Sequence, residues 1–300
     1  MQLRLVLAGV VAGVGALGAC GNDKMHLHPD GVFGPQRWTP APGETKNWDI
    51  QVAAPFDFST ERAMTIIDLW TSVPAATTIA YGDGSSVDVP AGTQPQTIGT
   101  LQARQTVIVC RVGLGGMWTT DPDASKFPDA SRLEIDPKMP TDERILDLAD
   151  RAPWEDAAFA RIDLAKRIGC DAIEPYRIDH FGINIDLTLD EQIAWYAKVA
   201  LEVHERDLSV GMRNGSQIYQ TQAASYDWAI IDRCGEDDVC DMVRPVLEQR
   251  KAVFAVDYNT TFFGDPQNPD VMCARHDEAG IEDGLVKDAA LSNAFRQQCP

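Results

Sequence analysis

From about residue 60 onward the chain alternates short β-branched runs with longer amphipathic stretches, and this alternation restricts the fold more than any other feature. Eight runs have strand character: Thr65–Leu69, Thr77–Ala80, Thr106–Cys110, Asp171–Pro175, Ser209–Arg213, Trp228–Ile231, Ala252–Val256 and Gly284–Val286. Between them lie helical segments such as Glu155–Ile168 and the stretch opened by Thr188 and Glu191, which are spaced as a capping box. In the latter, Ile193, Ala197, Ala200 and His204 recur at helical spacing and read as a core stripe whose polar border is His204. Repeated βα units argue for an α/β chain rather than a sandwich or bundle, and eight strands suggest a (β/α)8 TIM barrel. Residues 37–300 would then form a single domain of the usual size of about 250 residues.

In such a barrel, chemistry sits where the strands end. The residues there are acidic: Asp68 after Thr65–Ile67, Glu174 and Asp179 after Ala172–Ile173, Asp232 after Ala229–Ile231, and Asp257 after Phe254–Val256. Carboxyls crowded at one rim raise each other's pKa values, which lets one of them stay protonated near neutral pH. Glycoside hydrolysis uses such a pair, one carboxyl protonating the leaving oxygen while the other attacks the anomeric carbon or activates water. The same acids could instead pair with Arg111, Arg177 and Arg213. Trp70, Trp118 and Tyr258 fall beside the same strand ends, and their rings suit the apolar C–H faces of sugars.

The N-terminus indicates export. Arg4 precedes an apolar run, Leu5 to Ala19, that is too short to span a bilayer, and Leu17-Gly18-Ala19-Cys20 reads as a lipobox. Residues 1–19 are expected to be a lipoprotein-type signal peptide, Cys20 the lipidated first residue and 20–36 a flexible tether. The mature protein would be an exported, membrane-anchored lipoprotein, touching the membrane only through its lipid. Six further cysteines and no C-x-x-C pair then point to disulfides rather than a metal site. Cys234 with Cys240 and Cys273 with Cys299 are the expected bridges, leaving Cys110 and Cys170 to pair or stay buried.

Charge and motifs exclude several classes. The composition, 44% hydrophobic and 24% charged, rules out a disordered or fibrous chain. A formal charge of -19 disfavours nucleic acid and anionic membrane surfaces, and a neutral or cationic partner suits it better. Gly113-x-Gly115-Gly116 lacks the spacing and following lysine of a phosphate loop, so no nucleotide cofactor is expected. A G-x-S-x-G elbow and an H-x-x-x-H zinc motif are both absent.

A set of stretches in order carries a family resemblance. These are Trp38-Thr39-Pro40 with Trp48, Val109-Cys110 with its glycine-rich loop and Trp118, and Arg161-Ile162-Asp163 leading to Gly169-Cys170-Asp171-Ala172-Ile173-Glu174-Pro175. Val210 to Asn214, Asp227-Trp228-Ala229 with Cys234, and Ala252 to Tyr258 complete it. The chain resembles glycoside hydrolase family 114, the endo-α-1,4-polygalactosaminidase-like TIM barrels, from about Trp38 to Cys299. The resemblance implies an O-glycosyl hydrolase acting on a cationic or neutral amino-sugar polysaccharide. It implies Asp232 with Glu174 or Asp179 as the catalytic pair, with Asp68, Trp70, Trp118, Tyr176, Arg177, Arg213, Asn214, Asp257 and Tyr258 against the sugar. The family pattern Glu-Pro-Asp-Asn-x-Asp reads Glu174-Pro175-Tyr176-Arg177-Ile178-Asp179 here, and Asn-Glu-Gln-Cys reads Ile231-Asp232-Arg233-Cys234. Thr119 also stands where the family often has Glu, and Arg213 replaces Lys beside Asn214. Three readings follow: an active glycosidase, a surface lipoprotein that binds glycan without cutting it, or a glycosidase with Tyr176 as nucleophile and Glu174 as its base.

Overall fold

The computed structural model describes residues 25–27, 33–35, 37–133, 142–180, 186–215, 217–261 and 264–300. The expected signal peptide and Cys20 lie outside these residues. Of the expected tether, the structure describes two short strands, Met25–Leu27 and Phe33–Pro35, paired antiparallel. Met1–Gln36 forms one unit and Arg37–Pro300 another.

In the second unit the central sheet has eight parallel strands in sequence order. They are β1 (Trp48–Gln51), β2 (Met64–Asp68), β3 (Val107–Gly113), β4 (Ala172–Tyr176), β5 (Ser209–Arg213), β6 (Trp228–Asp232), β7 (Val253–Tyr258) and β8 (Asp283–Lys287), followed by an antiparallel β9 (Arg296–Gln298). The sheet curls until its ends meet. No ladder joins β1 to β8 among the described residues. The seam is instead sealed by Trp48 Nε1 donating to Asp283 O (3.0 Å), Lys287 Nζ to Asp49 Oδ1 (2.9 Å) and Val52 N to Leu291 O (3.0 Å). This is the TIM-barrel plan expected from the sequence, with one exchange of strands. Thr77–Ala80 is not in the barrel but pairs with Ser86–Val89 in a separate hairpin, and the first barrel strand is Trp48–Gln51, which lacks a β-branched run.

Successive side chains on a strand point to opposite faces, so two cores form. Trp48, Ile50, Met64, Ile66, Val109, Trp228, Phe254 and Leu285 pack inside the barrel. Ile67, Cys110, Ile173, Met212, Ile231 and Ala255 face the surrounding layer. Gly211 makes room inside the barrel: a Cβ there would lie 2.3 Å from the Trp228 ring. Trp38 closes the N-terminal end, its ring 5.8 Å from Trp228 and 6.2 Å from Phe254.

The outer layer holds α1 (Thr97–Ala103), α2 (Glu155–Ile168), α3 (Leu189–His204) and α4 (Pro269–Glu278). After β5 and β6 only single helical turns follow, Tyr219–Gln222, Cys234–Asp237 and Arg244–Leu247. Thr188 and Glu191 make the expected capping box. The stripe on α3 differs from expectation: Ala197 is exposed and the buried face runs through Gln192, Trp195, Tyr196, Val199, Ala200 and Val203. His204 borders it, pairing through Nε2 with Asp227 Oδ2 at 2.9 Å. Three disulfides, Cys110–Cys170, Cys234–Cys240 and Cys273–Cys299, use all six cysteines after Cys20.

Asp283, at the start of β8 and away from the strand C-termini, is fully buried. Its Oδ2 accepts from Gly43 N at 2.9 Å and its Oδ1 has no partner among the described residues. Burial pushes its pKa up to about 6. Its folded value exceeds the unfolded one near 4, so its stabilising contribution is complete below about pH 4 and is lost as pH rises through about 6. Asp283→Asn is therefore expected to raise Tm at about pH 7.5, by a change on the order of 1 kcal/mol, and to leave Tm nearly unchanged at about pH 4. Thermal unfolding at the two pH values checks this.

Candidate active site

At their C-terminal ends the inward positions of the strands change from apolar to charged. Asp68 on β2, Arg111 on β3, Glu174 on β4, Arg213 on β5 and Asp232 on β6 alternate in sign around five consecutive strands. The register sets the first three side by side, with Arg111 opposite both Asp68 and Glu174. Arg111 Nε donates to Glu174 Oε2 at 2.5 Å, and Arg213 donates through Nη1 to Glu174 Oε1 and through Nη2 to Asp232 Oδ2. Tyr258 Oη, from β7, donates to Asp232 Oδ1 at 2.9 Å. Burial works against the Arg213 charge, but the Asp232 and Glu174 carboxylates outweigh it and hold the guanidinium well above its ordinary pKa. The alternation keeps the rim cohesive where a ring of acids alone would repel.

The strands leave this rim sharply. Arg177, Asn214 and Arg233, each the first residue after β4, β5 and β6, all adopt left-handed backbone at φ 56°, 48° and 58°. Such conformations cost non-glycine residues about 1–2 kcal/mol each and persist where surrounding contacts enforce them. Here Arg177 grips Glu143 with Nε (2.7 Å) and Nη2 (2.9 Å), and Asn214 Oδ1 accepts from Asp232 N at 2.9 Å. The Gly113–Gly116 turn packs against the β4 exit so closely that a Cβ on Gly115 would lie 1.8 Å from Arg177 O. That contact, not phosphate binding, accounts for its glycines.

A cavity of about 510 Å³ opens over β2–β4. Asp68, Trp70, Arg111, Trp118, Asp121 and Tyr176 line it. The Tyr176 ring is surrounded by the guanidinium groups of Arg111, Arg177 and Arg213 at 5.0, 5.2 and 5.7 Å. Its hydroxyl donates to Glu143 Oε1 at 2.8 Å. Burial raises the pKa of Asp68, of Tyr176 and of Asp121, the last to about 6.

Against the sequence expectations, two carboxylates change role. Glu174 is fully buried and bound by two arginines, so it cannot reach a substrate and serves as the anion between them. It is also not the partner of Tyr176, whose hydroxyl goes to Glu143. Asp257 alternates with the inward Val256 and Tyr258 and therefore faces the outer layer. There its carboxylate is fully buried and accepts from Gly235 N (3.0 Å) and Glu236 N (2.8 Å) and pairs with His276 Nε2 (2.7 Å). Asp232 stays partly open, its side chain 17% exposed. Asp179 is half-buried and accepts from Gly215 N at 2.9 Å.

Asp121 and Glu143 are site residues that the strand-end rule does not find, because both come from the segment inserted after β3. Glu143 begins the short strand Glu143–Leu146, which pairs with Gly116–Trp118. Asp121 has a local signal in its place three residues after Trp118, whose N–H it binds at 3.0 Å. Glu143 has none.

The comparisons with known proteins agree with this architecture. The glycoside hydrolase domain of PelA from Pseudomonas aeruginosa superposes with a TM-score of 0.59 at 12% identity, covering 84% of this chain and 96% of that one. Ega3 from Aspergillus fumigatus, solved in complex with galactosamine, gives 0.69 at 23% identity over 87% of this chain and 97% of that one. No curated protein matches the chain. The model of glycoside-hydrolase family GH114 matches residues 32–300, and the chain belongs to that family.

Proposed function

We propose that this protein is an exported lipoprotein, anchored through Cys20, that hydrolyses an amino-sugar polysaccharide of the polygalactosamine kind. The observation that carries the reading is the rim cavity, where two carboxyls, Asp68 and Asp121, open beside the faces of Trp70, Trp118 and Tyr176. Glycoside hydrolysis needs a proton-bearing carboxyl and a second carboxylate within one cleft, and sugar rings need aromatic faces. The galactosamine held by Ega3 and the charge of -19 both favour a cationic or neutral polymer over an anionic one. No helix among the described residues is long and apolar enough to cross a membrane.

A second reading, glycan binding without cleavage, is favoured by one observation. Tyr176 occupies the place of the family's aspartate, while Arg213 engages both Glu174 and Asp232. Incubation with partly deacetylated α-1,4-galactosamine oligomers separates the two. Release of new reducing ends is the expected result; binding without release selects the second reading, and no binding overturns both.

A further inference from the structure

Of the acids expected at the site, Glu174 is committed to its arginines and Asp257, expected against the sugar, to the outer layer, whereas Asp121 opens on the cavity. We propose that Asp121 is the proton donor of the glycosidic reaction and that Asp68, which lines the same cavity, is the base that activates water. The assignment rests on the hydrolytic reading above and moves the reacting bond from the β4–β6 side of the rim to the β2–β3 side.

The geometry around Arg161 carries the argument. This residue on α2 is almost fully buried, and its guanidinium grips Asp123 with two bonds, Nε to Oδ2 (2.8 Å) and Nη2 to Oδ1 (2.7 Å). Asp121 shares only Nη2, through its Oδ2 at 3.1 Å, and the same Oδ2 accepts from Trp118 N at 3.0 Å. Its Oδ1 has no hydrogen-bond partner among the described residues. One cation thus serves two buried carboxyls, and the bidentate partner Asp123 takes the larger share of its charge. Oδ1 is therefore the oxygen on which Asp121 can carry a proton. Burial, which pushes Asp121 up to about 6 with Asp123 and Asp68 adding to the rise, agrees with this.

Arg161 also fixes the surroundings. Its guanidinium lies 5.3 Å over the Trp70 ring and its Nη1 donates to Gly113 O at 3.0 Å, so one side chain sets both the acid and an aromatic face of the cavity. Asp68 stands beside Arg111 and accepts from Thr71 N at 2.8 Å. Burial raises its pKa above the ordinary carboxylate value, and the Thr71 amide and the Arg111 charge oppose that rise without cancelling it.

The step balances as follows. Asp121 Oδ1–H passes its proton to the glycosidic oxygen as the bond from that oxygen to the anomeric carbon breaks. A water oxygen bonds to the anomeric carbon and gives one proton to Asp68. One water is consumed, two sugar ends are released, and the carboxyls return to their starting states by proton exchange with solvent.

The test compares Asp121→Asn with the unaltered protein on two substrates, a galactosamine oligomer and a dinitrophenyl galactosaminide, whose phenolate leaves without protonation. We expect the variant to lose about 100- to 10,000-fold in kcat/KM on the oligomer but under about tenfold on the dinitrophenyl substrate. The fall in kcat/KM above about pH 6 should also disappear in the variant. An unchanged Tm for the variant keeps loss of fold from explaining these effects. Equal losses on both substrates, no loss on the oligomer, or an unaltered alkaline limb would overturn the assignment while leaving the hydrolytic reading in place. Inactivity of the unaltered protein on both substrates removes that reading and the assignment with it.

Discussion

Arg213→Met is expected to lower the unfolding free energy by about 3–5 kcal/mol, because it removes the cation shared by two carboxylates in a buried network. The Arg213 side chain is 8% exposed and Glu174 not at all. Without the guanidinium, Glu174 keeps only Arg111, and Asp232 keeps the Tyr258 hydroxyl. Methionine matches the length of the aliphatic stem but replaces none of the donors. Arg213→Lys should cost less, since a single ammonium keeps the charge yet cannot span both carboxylates as the fork does. Adding Glu174→Gln to Arg213→Met should recover part of the loss, since one of the buried negative charges left in excess is then removed; two residues in one network are not additive. Chemical denaturation of the single and double variants measures the coupling. If Arg213→Met unfolds within about 1 kcal/mol of the unaltered protein, the rim is held by something other than this ion network. Activity should fall further than stability explains, since movement of a rim group by about 1 Å can cost roughly 100-fold in rate.

The alternation of strand and helix made the barrel legible because seven of its strands are short, mostly apolar runs set between longer amphipathic stretches. The first strand is not such a run. In Trp48-Asp49-Ile50-Gln51 every second residue is polar, and those polar side chains are buried only because Lys287 and the backbone of residue 57 meet them at the seam. Such partners lie more than 200 residues away in one case, so no local pattern announces them. Thr77–Ala80 has the opposite fate: it reads as a strand and is one, but its partner is nine residues on, in a hairpin outside the barrel.

The same period-two rule separates the site acids. Adjacent residues on a strand cannot both face the barrel, so once Tyr258 points inward Asp257 must point out. That distinction was available in the sequence, given the strand's inner face. The sealing of Glu174 was not, because it depends on arginines from β3 and β5 that come alongside only when the sheet forms. Asp121 and Glu143 are harder still. They approach from the segment after β3, where side-chain direction follows no repeat, and their place in the site is set by Arg161 and Arg177.

Made in a reducing cytoplasm without residues 1–19, the chain is expected to fail to accumulate as folded protein, whereas the exported or oxidised form should fold. The closed loops span 60 residues for Cys110–Cys170, 26 for Cys273–Cys299 and 6 for Cys234–Cys240. Constraint of the unfolded chain by loops of these lengths contributes about 4, 3.5 and 2 kcal/mol, together on the order of 10 kcal/mol. A domain of ordinary stability has only about 5–15 kcal/mol in total, so the bridges account for most of what separates the native barrel from its unfolded chain. Cys110→Ala with Cys170→Ala should therefore be the most costly pair to remove, and Cys234→Ala with Cys240→Ala should cost about half as much. Guanidinium unfolding of the two double variants, purified from an oxidising compartment, measures both losses against the intact protein. Equal midpoints for the reduced and oxidised protein would show that the barrel holds without its bridges, and would remove the strongest structural reason for placing this chain outside the cytoplasm.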